Sequence, residues 1–341
     1  MNNSQSEDEL EKNWKELSNL LIGNWTTQTI GAAVRLGIIE ALVQHPMTLE
    51  NIINTLKLNK NACEHLLRAL IGLKIVKFSN NTFFLTTKGE ILKEDHKWSL
   101  AKPALLWSEE HYSAWEGVSE SIQTGKPYFE KKYGDIYFEW LANNPEKCLA
   151  YQSALESYAE HDYRYIPKLY DFSCHTKVLD VGGGSGNLLK RILKKYPTIK
   201  GILFERPELA SLAHKNLSIP GLENRYKVIL GNFFDEIPKR GDIIILARVL
   251  HDWDDLRAQI ILKNCFEALP RKGRLIIIEL LLPPTLDSGF GALLNLNLLV
   301  MTGGKERTLD EYKHLLEDTG FEFKTIILTP SVSTIIVAKK K

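Results

Sequence analysis

One histidine and three aspartates crowd together at His251, Asp252, Asp254 and Asp255, just after the apolar run DIIILA. An imidazole, with an ordinary pKa of about 6.5, can take up a proton near neutrality and release it again. A carboxylate on its other ring nitrogen fixes the tautomer and stabilises the imidazolium that forms. General base catalysis is therefore one reading of the cluster. A divalent cation held by His251, Asp252 and Asp254 is a second. A third is structural, because Asp254 or Asp255 is placed to cap a helix expected from Leu256. Glu279 raises the same question, since it ends the apolar strand RLIIIE and a carboxylate there needs a partner.

A second chemical centre lies in VLDVGGGSGNLLK, where a strand ends in glycines and a helix begins. Such a turn lets backbone approach a ligand at a helix N-terminus. The dinucleotide pattern G-x-G-x-x-G fails: counted from Gly182 its last position is Asn187, and from Gly184 it is Leu189. A phosphate-binding P-loop fails as well, for want of Gly-Lys-Ser/Thr. What remains is Asp180 two residues before Gly182, then Gly184 and Gly186. The next strand ends at Glu205 in LFERPEL, where a carboxylate can accept from both hydroxyls of a ribose. Asn232 and Phe233 end the strand after that, in LGNFF.

The elements that must carry these residues follow from periodicity. From about residue 176 the apolar runs KVLDV, KGILFE, YKVIL, DIIILA and RLIIIEL alternate with helical stretches. Continuous apolar strands are covered on both faces, which predicts a doubly wound α/β sheet. TLDEYKHLLEDTG predicts a helix opened by a Thr308–Glu311 capping box and closed at Gly320. Before residue 100, NLLIGNWTTQTIGAAVRLGIIEALVQ predicts helix up to His45, then come two shorter helices and a hairpin turning at Asn80-Asn81. Helix, helix, hairpin is the order of a winged helix. Its second helix offers Lys60 and Arg68 but also Glu64, too little for DNA phosphates, so packing or dimerisation is the expected use. Residues 101–165 are helical and rich in aromatics, including Trp107 and Trp115, which suits packing or the wall of an apolar pocket.

Bulk composition excludes several classes. Forty-three basic residues against 42 acidic ones leave a net charge of +1, which gives no reason to expect nucleic acid or an anionic membrane as partner. The four cysteines are widely spaced, without a C-x-x-C pair, which suits reduced thiols rather than zinc or disulfides. A polar, acidic N-terminus without an apolar stretch is not a signal peptide, and no run approaches a membrane span. A cytoplasmic location is expected.

With VLDVGGGSG, FERPEL, GNFF, LHDWDD, EALPRKGRLIIIELLLP and TGGKERT in that order, the chain resembles a small-molecule O-methyltransferase dependent on S-adenosylmethionine, of the plant caffeic-acid and hydroxyindole type. The resemblance spans the whole length. It implies a helical winged-helix dimerisation domain over residues 1–100 and a Rossmann-like catalytic domain over 101–341. It also implies a homodimer of intertwined N-terminal regions and a small-molecule acceptor from secondary metabolism. His251 is implied as general base, with Glu279 and Glu306 flanking it, and no metal. Asp180, Gly182, Gly184, Glu205, Arg206, Asn232, Phe233 and Arg248 are implied to hold the cofactor. Trp107, Trp115, Asn295 and Leu298 are implied to line the acceptor pocket. The chain departs from the pattern at Asn232 and Asn295, where relatives usually carry Asp, at Ala247, where many carry a cation, and at Leu298, where many carry Met. Reuse of the cofactor in a non-methylating reaction and transfer to nitrogen are the alternative activities; a ligand-sensing regulator is disfavoured by the neutral charge.

Overall fold

The structure, a computed structural model, describes residues 7–286 and 289–341. The chain forms two compact units, Met1–Tyr112 and Ser113–Lys341. This division differs from the one expected at residue 100 by the helix Ala101–Ser108, which belongs to the first unit.

In the first unit the expected single helical run is broken into Glu7–Leu21, Gly23–Arg35 and Ile38–Gln44. Gly37 makes the second break by taking a left-handed φ of 76°, a conformation glycine adopts without steric cost. Helices Leu49–Leu56 and Lys60–Gly72 follow, capped by Thr48 accepting from the Asn51 amide and Asn59 accepting from the Ala62 amide. The hairpin β1 (Val76–Ser79) and β2 (Thr82–Leu85) turns at Asn80 and Asn81, both at positive φ. Ile38, Ile39, Ile52, Leu67, Leu70 and Val76 form its core. This is the expected winged-helix order. Arg68, one of the two cations on the candidate recognition helix, pairs with Glu64 at 2.7 Å.

The second unit carries β3 (Lys177–Val181), β4 (Lys200–Glu205), β5 (Tyr226–Leu230), β6 (Ile243–Ala247), β7 (Arg274–Glu279), β8 (Leu281–Leu282), β9 (Arg307–Thr308), β10 (Phe321–Leu328) and β11 (Thr334–Lys340). Seven of them form one sheet in the order β10-β11-β7-β6-β3-β4-β5. From β7 to β5 the neighbours are parallel, while β11 runs antiparallel to both β7 and β10. Along β6, Ile244 and Leu246 face one core with helices Asp255–Ala268 and Leu309–Asp318. Ile243 and Ile245 face the other, with helices Asn187–Lys195 and Ala210–Leu217. Two covered faces explain the unbroken apolar strands. Each fully buried Ile or Leu contributes about 1.5–3 kcal/mol relative to exposure, so this sheet is a rigid platform. In such a sheet ligands collect beyond the carboxyl ends of the parallel strands. The glycine turn leaves β3 there, Glu205 ends β4, Asn232 follows β5, His251 follows β6 and Glu279 ends β7.

Candidate active site

The glycine turn after β3 has Gly182, Gly184 and Gly186 all at positive φ. At Gly184 φ is 58°, a conformation that side-chain-bearing residues rarely adopt, and a Cβ would lie 2.2 Å from Nε2 of Gln152, which would have to move aside. Its amide donates to Glu205 Oε2 at 2.7 Å, and Glu205 Oε1 accepts from the Arg206 amide at 2.8 Å. Glu205 is buried, and burial pushes its carboxyl up to about 7. Asp180 is wholly buried, and among the described residues neither of its carboxylate oxygens has a hydrogen-bond partner within bonding geometry. Burial, followed by the charge of Glu205, raises it to about 7, with only the Leu189 amide opposing. Buried polar atoms are normally satisfied, so an orphaned acid beside bare backbone marks a place for a ligand with hydrogen to donate. Phe233 borders the turn, since a Cβ on Gly182 would stand 3.5 Å from its ring. Asn232 is exposed, and its Oδ1 accepts from the Phe234 amide. Arg206 pairs with Glu139 and Glu208.

The second half of the site lies beyond β6 and β7. His251 is buried, with Nδ1 at 3.1 Å from Glu306 Oε1 and 3.7 Å from Glu279 Oε2. Nε2 stands 3.5 Å from Asp252 Oδ1. The two glutamates hold different partners. Glu279 Oε1 accepts the amides of Val249 and Leu250 at 3.0 and 2.9 Å, tying down the chain just ahead of the histidine. Glu306 addresses the ring itself. Arg248 reaches both, with Nη2 at 2.8 Å from Glu306 Oε1 and Nη1 at 3.3 Å from Glu279 Oε2. Burial alone would protonate these acids; Arg248 and His251 hold Glu306 well below the usual carboxylate range, while Glu279 stays raised by its burial. Burial and Arg248 draw His251 down, Asp252, Glu279 and Glu306 draw it up, and the net shift is upward. An ionised Glu306 can only accept, so Nδ1 carries the proton and Nε2 presents its lone pair.

Backbone contacts fix this geometry. β8 and β9 pair in parallel, Leu281 with Arg307 and Leu282 with Thr308, which brings the end of β7 beside Glu306. Gly304 permits the closeness, because a Cβ there would lie 2.1 Å from the His251 carbonyl oxygen. Arg307 is fully buried and donates to the carbonyls of Leu250 and Trp253 and to Asp255. Asp254 is the helix cap, accepting from the Arg257 amide at 2.8 Å. Arg248 sits at φ 56°, a left-handed conformation that costs a residue with a Cβ about 1–3 kcal/mol and is found where surrounding structure enforces it.

Among the described residues His251, Glu279 and Glu306 are one group whose ligand atoms, within 4.8 Å of one another, match a metal site by type. The guanidinium of Arg248 already lies on both carboxylates, supplying positive charge where a metal ion would bring it. His251, Asp252 and Asp254 do not form the alternative metal set, since Asp254 is spent on its helix. Of the expected pocket residues, Asn295 Oδ1 accepts from the Glu306 amide at 2.8 Å, and Leu298 is buried on the same helix, Phe290–Met301. Trp115 donates from Nε1 to Asn297 Oδ1 at 2.8 Å. Trp107 belongs to the first unit, edge-on to His111. Several other aromatics are core: Phe129 packs on Tyr133, Tyr137 and Trp140.

A model of the O-methyltransferase domain matches residues 115–322, and a model of the O-methyltransferase dimerisation domain matches residues 18–94. The chain belongs to the O-methyltransferase family. This O-methyltransferase is 35% identical to the phenazine O-methyltransferase PhzM of Lysobacter antibioticus, over 95% of both chains. It is 28% identical to the phenazine-1-carboxylate N-methyltransferase of Pseudomonas aeruginosa, over 96% of this chain and 97% of that one. Its structure is similar to that of human N-acetylserotonin methyltransferase in complex with S-adenosylmethionine, with a TM-score of 0.89, 25% identity, and 100% and 99% of the two chains covered. The family uses S-adenosylmethionine, and the site of this O-methyltransferase fits that cofactor: the acidic pair Asp180 and Glu205 suits a cationic ligand with an ammonium and ribose hydroxyls to donate. Sequence reasoning passed over Gln152, Asn297, Gly304 and Arg307 in the O-methyltransferase site. The two adjacent glycines ahead of KER were the signal for a close backbone approach.

Proposed function

We propose that this O-methyltransferase methylates a hydroxyl of a small aromatic or polyketide-like molecule, with His251 as the general base. The observation that carries the reading is the bond from His251 Nδ1 to Glu306, which leaves Nε2 free to take a proton. S-adenosylmethionine, when bound, supplies a methyl group already activated for transfer. The protein's own task is then to align an oxygen and remove its proton. A phenol, with a pKa of about 10, is mostly neutral at physiological pH and benefits from a base during attack. Alignment supplies much of the remaining acceleration. Glu306 and Glu279 stabilise the imidazolium as it forms.

Gly182, Gly184, Asp180 and Glu205 are proposed to hold the cofactor's amino-acid and ribose ends, and Phe233 its adenine. Asn232 and Arg206 are weaker members of that set, because their side chains are engaged with the local backbone and with Glu139 and Glu208. Trp107, Trp115, Asn295 and Leu298 are proposed for the acceptor side. The dimerisation domain matched above argues for a homodimer. Support comes from helix Glu7–Leu21, whose Leu10, Trp14, Leu17 and Leu21 recur at helical spacing and are all more than half exposed in the single chain. A second copy burying that stripe, with intertwined N-terminal regions that help close each other's pocket, is the arrangement we propose. Domain limits of 1–100 and 101–341, a cytoplasmic location and the absence of a nucleic-acid partner complete the reading; among the described residues no helix is long and apolar enough to cross a membrane.

The test is incubation with methyl-labelled S-adenosylmethionine and a panel of phenols, naphthols and phenazinols, with products identified by mass and nuclear magnetic resonance. A labelled methoxy product is expected. A labelled N-methyl product, or a product without label, overturns the assignment to oxygen or to transfer respectively.

A further inference from the structure

Arg248 was expected at the adenine end of the cofactor, yet its guanidinium lies on Glu306 and Glu279. We propose that Arg248 is a positioning residue: shared between Glu279 and Glu306, it counterbalances the carboxylates around His251, so that the imidazole is not locked as an imidazolium before the acceptor's proton arrives. The inference rests on the reading of His251 as base.

Three carboxylates face the ring from three elements, Glu306 at 3.1 Å, Glu279 at 3.7 Å and Asp252 at 3.5 Å. Together they would hold the ring as an imidazolium, which cannot accept a proton. A base must be neutral at rest and charged only in the transition state. Arg248 is the cation that meets two of the three, and it shares Glu306 Oε1 with the imidazole itself. The other polar groups within electrostatic reach are Tyr151 and Tyr163, on and just after helix Pro145–Asp162, Tyr312 on helix Leu309–Asp318, and Arg307. The three phenols stay protonated because burial raises them, and Arg307 is directed at backbone carbonyls and Asp255. Among the described residues Arg248 is therefore the balancing charge of the site.

The backbone is consistent with this placement. Arg248 sits at φ 56°, and its amide is fixed to the Ile278 carbonyl at 2.9 Å. Such a conformation persists where the surrounding structure enforces it.

The experiment is a pH titration of His251 by nuclear magnetic resonance in protein labelled at histidine, with S-adenosylhomocysteine bound. The signal is assigned by its loss in His251→Gln, so no acceptor is needed. In Arg248→Gln the midpoint should rise by about one pH unit or more, and in Arg248→Lys, which keeps the charge, it should stay within roughly 0.3 unit of wild type. Arg248→Gly removes the same charge while relaxing the backbone, and takes the place of the glutamine variant if that one does not fold. Affinity for S-adenosylhomocysteine, by calorimetry, should change less than about threefold. An unmoved midpoint in the uncharged variants overturns the proposal. If affinity also drops tenfold, Arg248 serves the cofactor instead. The base reading fails separately, if His251→Gln retains full turnover.

Discussion

Arg307 donates to the carbonyl oxygen of Leu250 at 2.9 Å, so the residue after Glu306 grips the residue before His251. His251 and Glu306 are thus joined twice, once through side chains and once through this buried guanidinium. Arg307→Met would leave the Trp253 carbonyl without a donor and the Leu250 carbonyl with the Trp253 amide alone, at a cost of about 2–3 kcal/mol. Thermal unfolding should show a midpoint lowered by roughly 5–10 °C, with turnover reduced in the folded fraction. A variant as stable and active as wild type would show that the loop holds its shape unaided.

His251→Gln should lower turnover by about 10²–10⁴-fold, the usual contribution of a positioned base. Cofactor affinity should stay nearly intact. With a phenolic acceptor, raising the pH should recover part of the loss, because phenolate then forms without help. Initial rates between neutral and alkaline pH are the check, and a variant with wild-type rates at neutral pH sinks the assignment.

The two glutamates should not be equivalent. Glu306 meets the ring and Glu279 meets backbone amides. Glu306→Gln should therefore cost roughly tenfold more turnover than Glu279→Gln, since it unsettles the tautomer that exposes Nε2. The reverse order in a side-by-side kinetic comparison would make Glu279 the orienting partner.

Asp180 and Glu205 predict how stability depends on pH. Burial raises both to about 7, above their values in the unfolded chain. Between about pH 4 and about 7 the folded protein then binds more protons than the unfolded one, so stability without cofactor falls as pH rises through that window. The slope is of the order of 1.4 kcal/mol per pH unit for each group fully engaged. Melting curves from mildly acidic to mildly alkaline pH should show this fall, and Glu205→Gln should flatten it. Identical slopes in the two proteins would mean that Glu205 ionises normally.

Gly304→Ala should damage turnover without damaging cofactor binding. The added methyl would meet the His251 carbonyl oxygen at 2.1 Å, backbone against side chain, so one of the two loops has to move. Calorimetry with S-adenosylhomocysteine beside kinetics separates the effects, and unaltered turnover would show that the loops have slack.

Much of this was legible in the residues. Unbroken apolar strands implied a sheet covered on both faces, and Thr308 with Glu311 marked a helix start that the structure repeats as a capping box. The glycine spacing after β3 and the glutamate ending β4 were legible as a turn and a strand end because local turn chemistry leaves a local trace, and the structure joins them through the Gly184 amide and Glu205. What periodicity could not show was β11 returning antiparallel between β7 and β10, since an apolar strand reads alike in either direction. Nor could it show Arg307, whose partners are carbonyls some 55 residues earlier and carry no side-chain signature. Arg248 was visible, and the resemblance implied a place at the cofactor, but its left-handed φ and its ion pairs with Glu306 and Glu279 left no trace in the sequence.

The two-residue bridge between β8 and β9 acts as a clasp at the neck of a loop. Helix Phe290–Met301 hangs from a point where the chain is stitched to itself. Glu279 and Glu306 lie beside the two ends of that neck. On the proposed reading, the helix between them could be rewritten for a new acceptor while the proton-handling groups stay put, provided the Asn295 tie to the Glu306 amide is kept. That reading would make this segment the natural unit to graft between relatives.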